Sequence, residues 1–526
     1  MNTQAYSRRP NTKQPDVEAE HGRFVWADPV LVLSVLLFIY LRFRVMRDGG
    51  APPTIDAGNW LAFGDSILGN GVRSSTIVYP PVVPLLAKAS VSVFGLTDGV
   101  SLLGSVSSTA PEVGIYIGLR YLGLGSGSLP PALLVLAASA VGEATAWGGF
   151  PQLIGLGLAP IALILFDRFL RTWDGRRALA SGLAFMVLLA TSHFVGSAVV
   201  VAAAVMVVQA LARPVGPRPR WPQVVVCSGV LLLPVLWLIP LYLSLLQAVG
   251  GFSTEFKFFT QLTWANLFEH IEFLYRDFPW LWRLLLPVTV IAPALFVRNH
   301  RTPLWRVTSS FLVAIIATTA VAREARILYL LTPFSALGLA LWVVHGPDRF
   351  RLWAGNRFDK NWPSRNIAAV TLVALLAIAG VQASTGLAFF GSQRVSYGLL
   401  TPELVSGIEA VRESSEPGDV LAVTSLRDAP LGWWVEAIAH RETFYGAPLR
   451  WLLFEDEIRR ASMANDLFVP LFPTPDRIDK ASRAGIDLIL VPTRWVFYSE
   501  AAIDALAAGR PNSVAYLTNE LVVIMP

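Results

Sequence analysis

The acidic and imidazole side chains of this chain that could take part in chemistry stand where apolar segments end. Asp56 lies in "IDAGNW" after the first apolar run, and Glu143 and His193 lie in "GEATAWGG" and "ATSHFVG" at later breaks. A positioned carboxylate can accept a proton, and an acid near the end of a membrane helix is a functional hypothesis by default. Each residue also has a structural interpretation. Asp56 would cap a surface helix, Glu143 would pair with a neighbouring helix or fray, and His193 would be a satisfied interface histidine.

A second group of candidates is basic and aromatic. Arg323 and Arg326 stand in "AREAR" just before a late apolar run. A guanidinium group can bind phosphate through two parallel hydrogen bonds, although these arginines could instead pair with Glu324 or with lipid headgroups. Tyr79 opens a segment that two prolines stiffen, and it is a candidate for substrate binding.

Other residues of the same regions are expected to have ordinary roles. Asp65, further along the first loop, is expected to be solvated. Trp147, Trp433 and Trp434 are expected to serve packing or the aromatic belt of a membrane protein.

The composition shows which elements must position these side chains. The chain has 526 residues, of which 54% are hydrophobic and 15% charged, whereas soluble domains carry about 25% charged residues. Apolar runs such as "NIAAVTLVALLAIAGVQASTGLAFF" approach the ~20 residues that a helix needs to cross a bilayer. The sequence therefore predicts a polytopic α-helical membrane protein.

The pattern of apolar runs and polar breaks predicts about eleven spans. They fall at 27–45, 101–122, 129–145, 151–169, 178–192, 194–212, 222–248, 283–297, 305–321, 326–344 and 366–390. Basic loops such as "DRFLRTWDGRR" and "RNHRTPLWR" are cytoplasmic by the positive-inside rule. Consistent parity then requires the segment at 79–95 to lie on the outer surface without crossing.

This topology predicts a multi-pass protein of the plasma membrane, with the N-terminus in the cytoplasm and the C-terminus outside. Arg42, Arg44 and Arg47 are the exception, because they stand at the outer end of the first span. We expect them to reach headgroups or an anionic ligand.

The chain divides into three regions. Residues 1–23 are polar and predict a disordered cytoplasmic tail. Residues 24–395 form the transmembrane domain, whose first outward loop is 46–100. From 396 to 526, short β-branched runs such as "GDVLAVTS" and "GIDLILVPT" alternate with amphipathic segments such as "PELVSGIEAVRESS". This alternation predicts a small extracytoplasmic α/β domain.

Charge and cysteine content exclude some classes of partner and linkage. The net charge of +5 is accounted for by the basic loops, and no nucleic-acid motif occurs, so we expect the lipid bilayer and no nucleic acid as a partner. The single cysteine, Cys227, rules out a disulfide within the chain.

One run of features resembles a known superfamily. A first span is followed by an outward loop with an early acid ("IDAGNW"), then by "GNG" and "YPP" before a surface helix. This layout resembles the GT-C glycosyltransferases, and "AWGGFPQ" and "AREARILYLLTPFSALGLAL" are also similar to that superfamily. The resemblance covers about residues 25 to 390 and implies a GT-C-like transmembrane fold.

The resemblance also implies an activity. The chain would move a sugar from a polyprenyl-phosphate donor to a glycan, lipid or protein acceptor on the outer face, usually with inversion. Asp56 matches the first-loop acid of the superfamily and would be the general base, a role worth about 10² to 10⁴ in rate. Glu143 matches a second acidic position and would also be catalytic. The residues assigned to substrate binding are Arg323, Arg326, His193 and Tyr79.

Two further matters stay open at the level of sequence. Asp56 lacks the adjacent partner of a D-x-D pair, so no cofactor is expected, although a divalent metal remains possible. The alternatives to an enzyme are a transporter or flippase of lipid-linked sugars and a non-catalytic membrane scaffold. A transporter predicts ionisable residues deep in spans and broken helices near the midplane, whereas the predicted spans are mostly free of charge in their middles.

Overall fold

The structure is a computed structural model of the chain. It describes residues 25–70, 79–136, 138–214, 216, 219–248, 266, 269, 271–273, 279–322, 325–354, 384–424, 430–446, 455–468, 472–493 and 499–526. The predicted tail at 1–23, Arg323 and the first part of the predicted span at 366–390 lie outside these residues.

Apolar helices make up the described part of the membrane region. The first ten are α1 (Ala27–Arg47), α2 (Ala57–Ile67), α3 (Val82–Phe94), α4 (Leu96–Ser107), α5 (Ala110–Tyr121), α6 (Leu129–Leu136), α7 (Ser139–Trp147), α8 (Phe150–Thr172), α9 (Gly175–Thr191) and α10 (His193–Ala212). They are followed by α11 (Trp221–Leu236), α12 (Ile239–Ala248), α13 (Pro279–Leu295), α14 (Pro303–Ala322), α15 (Leu331–Ala354) and α16 (384–397). Short 3₁₀ turns occur at Gly125–Ser128, Val297–Asn299 and Ala325–Leu330.

Several of these helices can cross a membrane. Among the described residues, five are long and apolar enough to do so alone, namely α1, α8, α10, Pro303–Ala320 and Arg326–Gly346. The pair formed by Gly125–Leu136 and Ser139–Trp147 makes a sixth candidate, bent by 51°. The predicted polytopic helical architecture is confirmed.

Three of the predicted spans are interrupted. The span at 101–122 breaks between α4 and α5, the span at 129–145 breaks between α6 and α7, and the span at 222–248 breaks after α11. The sequence hid these breaks because both halves of each span are apolar. The helix predicted for the outer surface, α3, has 13 residues and is therefore about 20 Å long, well short of the ~30 Å hydrocarbon core.

The breaks after α4 and α6 share one buried cation. Arg42 of α1 is 3% exposed, and its guanidinium donates to the carbonyl of Ser108 at 3.2 Å and to that of Leu136 at 2.6 Å. Both carbonyls belong to helix ends, where backbone acceptors lack partners within the helix. The expectation that Arg42 reaches headgroups is therefore wrong, whereas Arg44 is exposed and Arg47 pairs with Asp98.

The C-terminal region is a small α/β domain, as predicted. Its sheet has the order β2-β1-β3-β5-β4, parallel from β2 to β3 and antiparallel from β3 to β4. The strands are β1 (Val420–Val423), β2 (Glu442–Thr443), β3 (Leu488–Pro492), β4 (Val514–Thr518) and β5 (Leu521–Ile524). The helices are α17 (Pro402–Ser414), α18 (Leu431–Ala439), α19 (Glu455–Phe468), α20 (Pro475–Arg483) and α21 (Glu500–Gly509). In register, Ala422 of β1 faces Ile489 of β3, and Leu490 faces Val523 of β5.

The first loop and the C-terminal domain share one hydrophobic core. Buried side chains of the loop, such as Ile55 and Trp60, lie in the same cluster as Leu404 of α17 and Trp434 of α18. Burial of apolar surface is the main favourable term in packing. The first loop is therefore held between the membrane helices and the C-terminal domain.

Candidate functional site

Asp56 lies immediately before α2, with its side chain buried. It is 4% exposed, its side chain caps no helix amide, and its Oδ1 atom has no hydrogen-bond partner in the described structure. The amide of Ala57 donates instead to the hydroxyl of Thr54, at 3.3 Å. Buried polar atoms in native proteins are nearly always paired. The interpretation of Asp56 as a helix cap is therefore wrong, and its carboxylate is open to another partner.

The turn between α7 and α8 holds the backbone of Asp56. The Asp56 amide donates to the carbonyl of Trp147 at 3.0 Å, and the indole of Trp60 donates to the carbonyl of Gly148 at 2.7 Å. Gly148 has a φ of +96°, and a Cβ there would lie 3.2 Å from the Cβ of Asp56. Glycine adopts this conformation without strain. The "WGG" turn is therefore what allows the first loop to approach α7 so closely.

Glu143 stands on α7, one turn before Trp147, and is 5% exposed. The hydroxyl of Tyr397 donates to its Oε1 at 2.7 Å, and the indole of Trp147 donates to its Oε2 at 3.2 Å. The same indole N–H also points to the hydroxyl of Tyr329, at 3.0 Å. Glu143 does not fray into the interface, and it has a partner on a neighbouring helix, as its structural interpretation requires.

Arg326 brings these groups together. It lies in the 3₁₀ turn before α15, and its guanidinium carbon is 5.4 Å from the centre of the Trp147 ring. Its charge acts electrostatically on Asp56, Glu143 and His193. The site therefore consists of two carboxylates and one imidazole around one arginine, contributed by the first loop, α7, α10 and the turn before α15.

His193 is the first residue of α10 and faces this centre with an open nitrogen. Its Nδ1 atom is buried and has no hydrogen-bond partner among the described residues. The ring of Tyr79 meets the imidazole edge-on at 5.4 Å, and Tyr79 in turn packs on Trp60 at 4.8 Å. The interpretation of His193 as a satisfied interface histidine is therefore wrong for this nitrogen.

The electrostatics of Asp56 favour proton transfer near neutral pH. Burial raises the pKa of Asp56 to about 7, and the positive charge of Arg326 acts in the opposite direction. A general base is most effective when its pKa lies near the working pH. Asp56 therefore combines an open oxygen atom with a pKa suited to accepting a proton.

The structure brings together most of the residues that the sequence singled out. Asp56, Glu143, His193 and Arg326 share one centre, with Tyr79 packed against the imidazole, while Arg323 lies outside the described residues. The roles in catalysis and substrate binding stay predictions.

Sequence reasoning missed three side chains at this centre. Tyr329 could have been found, because it follows Arg326 by three residues. For Trp147 the sequence predicts only packing or the aromatic belt, because tryptophans are common at membrane interfaces. Tyr397 is 254 residues from its partner Glu143, and no local pattern indicates such a contact.

Asp65 differs from its prediction. It lies inside α2, is 6% exposed, and pairs with the ammonium group of Lys88 at 2.7 Å. The prediction of a solvated loop residue is therefore wrong, because the loop forms a helix whose faces are covered by α3 and the C-terminal domain.

Within the described part of the chain, no group of three or more His, Cys, Asp or Glu side chains is placed to hold a metal ion. Whether a divalent metal takes part in the site stays a prediction.

Solved structures with a similar fold were found, while no protein-family model and no curated protein matches the chain. ArnT from Cupriavidus metallidurans in the apo state has a TM-score of 0.54 at 15% identity, covering 95% of this chain and 98% of that chain. ArnT bound to undecaprenyl phosphate has a TM-score of 0.52 at 13% identity, with 94% and 97% covered. The oligosaccharyltransferase AglB from Archaeoglobus fulgidus, in complex with an inhibitory peptide and a dolichol-phosphate, has a TM-score of 0.50 at 12% identity, with 89% and 69% covered.

ArnT and AglB belong to the GT-C superfamily of membrane glycosyltransferases. The predicted resemblance is therefore confirmed at the level of the fold. Sequence identities of 12% to 15% show only that the fold is shared. The activity depends on the residues of the site.

Proposed function

We propose that this chain, which has the GT-C fold, is a membrane glycosyltransferase that uses a polyprenyl-phosphate sugar. The observation that carries the proposal is the group of Asp56, Glu143 and His193 around Arg326, with open hydrogen-bonding atoms on Asp56 and His193. Glycosyl transfer from a lipid phosphate needs a base for the acceptor and a cation for the leaving phosphate. The structures of ArnT with undecaprenyl phosphate and of AglB with a dolichol-phosphate support a lipid-linked donor in general terms.

The proposed chemistry is a direct displacement at the anomeric carbon. Asp56 takes the proton of the acceptor hydroxyl while that oxygen forms its bond to the sugar, and the bond from the sugar to the phosphate oxygen breaks. Arg326 stabilises the charge that develops on the departing lipid phosphate, because a guanidinium binds phosphate through two hydrogen bonds. Such a single displacement inverts the configuration of the sugar.

Glu143 and His193 have supporting roles in this scheme. Glu143 is held by Tyr397 and Trp147 and acts on Arg326 as a counter-charge. It therefore orients the arginine before the donor binds. His193 offers its open Nδ1 to the phosphate or to the sugar. We propose that all of this takes place on the outer face of the plasma membrane, with the N-terminus in the cytoplasm and the C-terminal domain outside.

A flippase of lipid-linked sugars is the second candidate, and it is favoured by the interrupted spans and by one buried acid. Glu112 of α5 is fully buried within an apolar helix, its two carboxylate oxygens have no hydrogen-bond partner in the described structure, and it interacts with the buried Arg42. Ionisable residues inside membrane helices often mark transport pathways. Arg42, however, holds the ends of two broken helices, which gives this pair a structural function.

The experiment that separates the two candidates is sugar transfer by purified protein. The full-length protein is given a panel of polyprenyl-phosphate sugars in lipid nanodiscs, and release of lipid phosphate and labelling of acceptor are followed. Wild-type protein is expected to transfer at least one sugar. If no donor is consumed, while vesicles containing the protein move labelled lipid-linked sugar between leaflets, the transferase proposal is wrong and the flippase reading replaces it.

A further inference from the structure

Side chains from the C-terminal end of the chain contact Glu143 directly and contact the backbone close to Asp56. The hydroxyl of Tyr397, the last residue of α16, donates to Glu143 at 2.7 Å. The indole of Trp434, on α18 of the C-terminal domain, donates to the carbonyl of Thr54 at 3.1 Å. Thr54 lies two residues before Asp56. The proposed chemistry uses the first contact to hold Glu143 but makes no use of the contact of Trp434.

The contact made by Trp434 is fully enclosed. Trp434 is 0% exposed and packs on Gly58, where a Cβ would lie only 2.8 Å from its ring and from its backbone nitrogen. Any side chain at position 58 would therefore push α18 away from α2. Thr54 uses its carbonyl for Trp434 and its hydroxyl for the amide of Ala57. The bond from Ala57 to Thr54 spans Asp56, and the bond from Trp434 anchors Thr54 itself. The backbone on both sides of Asp56 is therefore held.

We propose that the C-terminal end of the chain is a working part of the site, in which Trp434 of the C-terminal domain positions Asp56 and Tyr397 of α16 positions Glu143. The inference rests on the proposed function for the roles of the two carboxylates, and on the contacts alone for the coupling itself. The open Oδ1 of Asp56 has no partner among the described residues that would fix it. It can accept a proton at the right place only if the residue is held by other bonds. Trp434 supplies such a bond from the domain side, and the carbonyl of Trp147 supplies one from the membrane side.

A matched pair of tryptophans allows a direct test. Trp433 is the neighbour of Trp434 on the same helix, but it packs with Tyr445 and Phe468 in the domain's own core. Full-length Trp434→Phe and Trp433→Phe proteins are compared by hydrogen–deuterium exchange, read by mass spectrometry on peptides covering residues 54–60. Trp434→Phe is expected to raise exchange in these peptides about fivefold, the equilibrium change that loss of one buried hydrogen bond produces. Trp433→Phe is expected to leave these peptides at the wild-type rate.

Tyr397→Phe extends the test to the second carboxylate without the risk of disturbing packing, because it removes one hydroxyl group. It is expected to raise exchange in peptides covering residues 139–149 and to leave those covering 54–60 unchanged. In transfer assays, Trp434→Phe is expected to lower kcat about tenfold with little change in KM for the donor. A larger effect on KM, or equal exchange in the two tryptophan variants, would show that Trp434 only packs and would overturn the proposal.

The pH dependence of transfer separates a positioning role of Trp434 from a general loss of stability. Instability would lower kcat in Trp434→Phe but would leave the pH–rate profile at the wild-type position. Opening of the loop in Trp434→Phe admits water to Asp56, which lowers its pKa from about 7 towards its usual range. The acidic limb of the pH–rate profile is therefore expected to shift to lower pH in this variant and to stay in place in Trp433→Phe. If wild-type protein transfers no sugar, the exchange data still decide the coupling, so that failure of the proposed function and failure of this inference are distinguishable.

Discussion

Two buried aspartates lie near opposite ends of α8, and their surroundings differ in one respect. Asp167, near the end of the helix, accepts from Arg306 Nε at 2.7 Å through Oδ1 and from Arg171 Nε at 2.6 Å through Oδ2. Asp56 meets the turn that precedes the helix, and its Oδ1 has no partner within the described residues. Asp167 and the start of α8 are about 25 Å apart along the helix axis. Both carboxylates are buried, but only Asp167 has both oxygens occupied.

The difference indicates what each aspartate does. A buried carboxylate that is fully paired stabilises the arrangement of helices, because removing either partner leaves a charge uncompensated. A buried carboxylate with an open oxygen carries the cost of burial without the compensating bond, a situation that native proteins retain mainly at functional sites. Asp167 therefore fixes the bundle, whereas the open oxygen of Asp56 fits its proposed role as the base.

The largest expected effect comes from Asp56→Asn. The amide has the shape of the carboxylate but accepts no proton, so transfer should fall by about 10² to 10⁴ while the protein remains folded and inserted. The measurement is the initial rate of sugar transfer by purified wild-type and variant proteins from the same donor. The matched control is Asp98→Asn, which removes an exposed ion pair with Arg47 and should retain nearly full activity. Full activity in Asp56→Asn would move the role of base to Glu143.

The opposite response is expected from Asp167→Asn. Arg306 is 2% exposed and would lose its charged partner, which costs about 3 to 5 kcal/mol for a buried pair. The variant should unfold at lower temperature or denaturant concentration, yet transfer sugar at the wild-type rate per folded molecule. Thermal unfolding followed by transfer assays below the transition gives both quantities. If the folded fraction of this variant were inactive while stable, the division between a structural and a functional aspartate would not hold.

Arg326→Ala should have an intermediate effect, which is a loss of affinity for the donor. A hydrogen bond to a charged group is worth about 1.5 to 3 kcal/mol, so affinity for a polyprenyl-phosphate donor should fall by about 10- to 100-fold. Arg298 is exposed, lies between α13 and α14, and serves as the matched control. Binding of the lipid phosphate to each variant is measured by titration of intrinsic tryptophan fluorescence. Equal losses in Arg298→Ala and Arg326→Ala would mean that Arg326 contributes only general positive charge.

The comparison also shows what the sequence could and could not predict. Asp56 could be singled out as a candidate from the sequence, because an acid after the first span stands out against an apolar background. The ion pair of Asp167 could not be predicted, because Asp167 and Arg306 are 139 residues apart. Asp167 also lies in the basic stretch "DRFLRTWDGRR", where an acid is expected to pair locally. In the same way, the strands of the C-terminal domain follow from β-branched runs, whereas the contact of Trp434 with Thr54 spans 380 residues and depends on how two regions dock. Local patterns identify elements and exposed chemistry, and long-range pairing requires the fold.

The effect that needs no substitution, and that separates the two aspartates most sharply, is in the pH dependence. Because burial raises the pKa of Asp56 to about 7, the fraction of the free base, and with it the transfer rate, should fall about tenfold for each pH unit below that value. Above pH 7 the rate should be constant. The initial rate is measured from pH 5 to pH 9 in buffers of equal ionic strength, with donor held well below KM, so that the profile reports the pKa of the protein without donor.

The stability of the wild-type protein should change with pH in the direction opposite to the transfer rate, falling as the pH rises towards 7. The folded-state pKa of Asp56 lies above the ordinary value of about 4 for the unfolded chain, so the folded state holds its proton more tightly. The stabilisation that this proton provides is complete below about pH 4 and is lost as the pH rises through 7. Asp56→Asn, which cannot ionise, should therefore gain stability relative to wild type between about pH 4 and pH 7, by at most about 4 kcal/mol, and keep a constant advantage above. Thermal unfolding of both proteins at several pH values measures this difference. An advantage that does not change with pH would mean that Asp56 ionises as an exposed carboxylate does, and would remove the argument that its burial tunes it as a base.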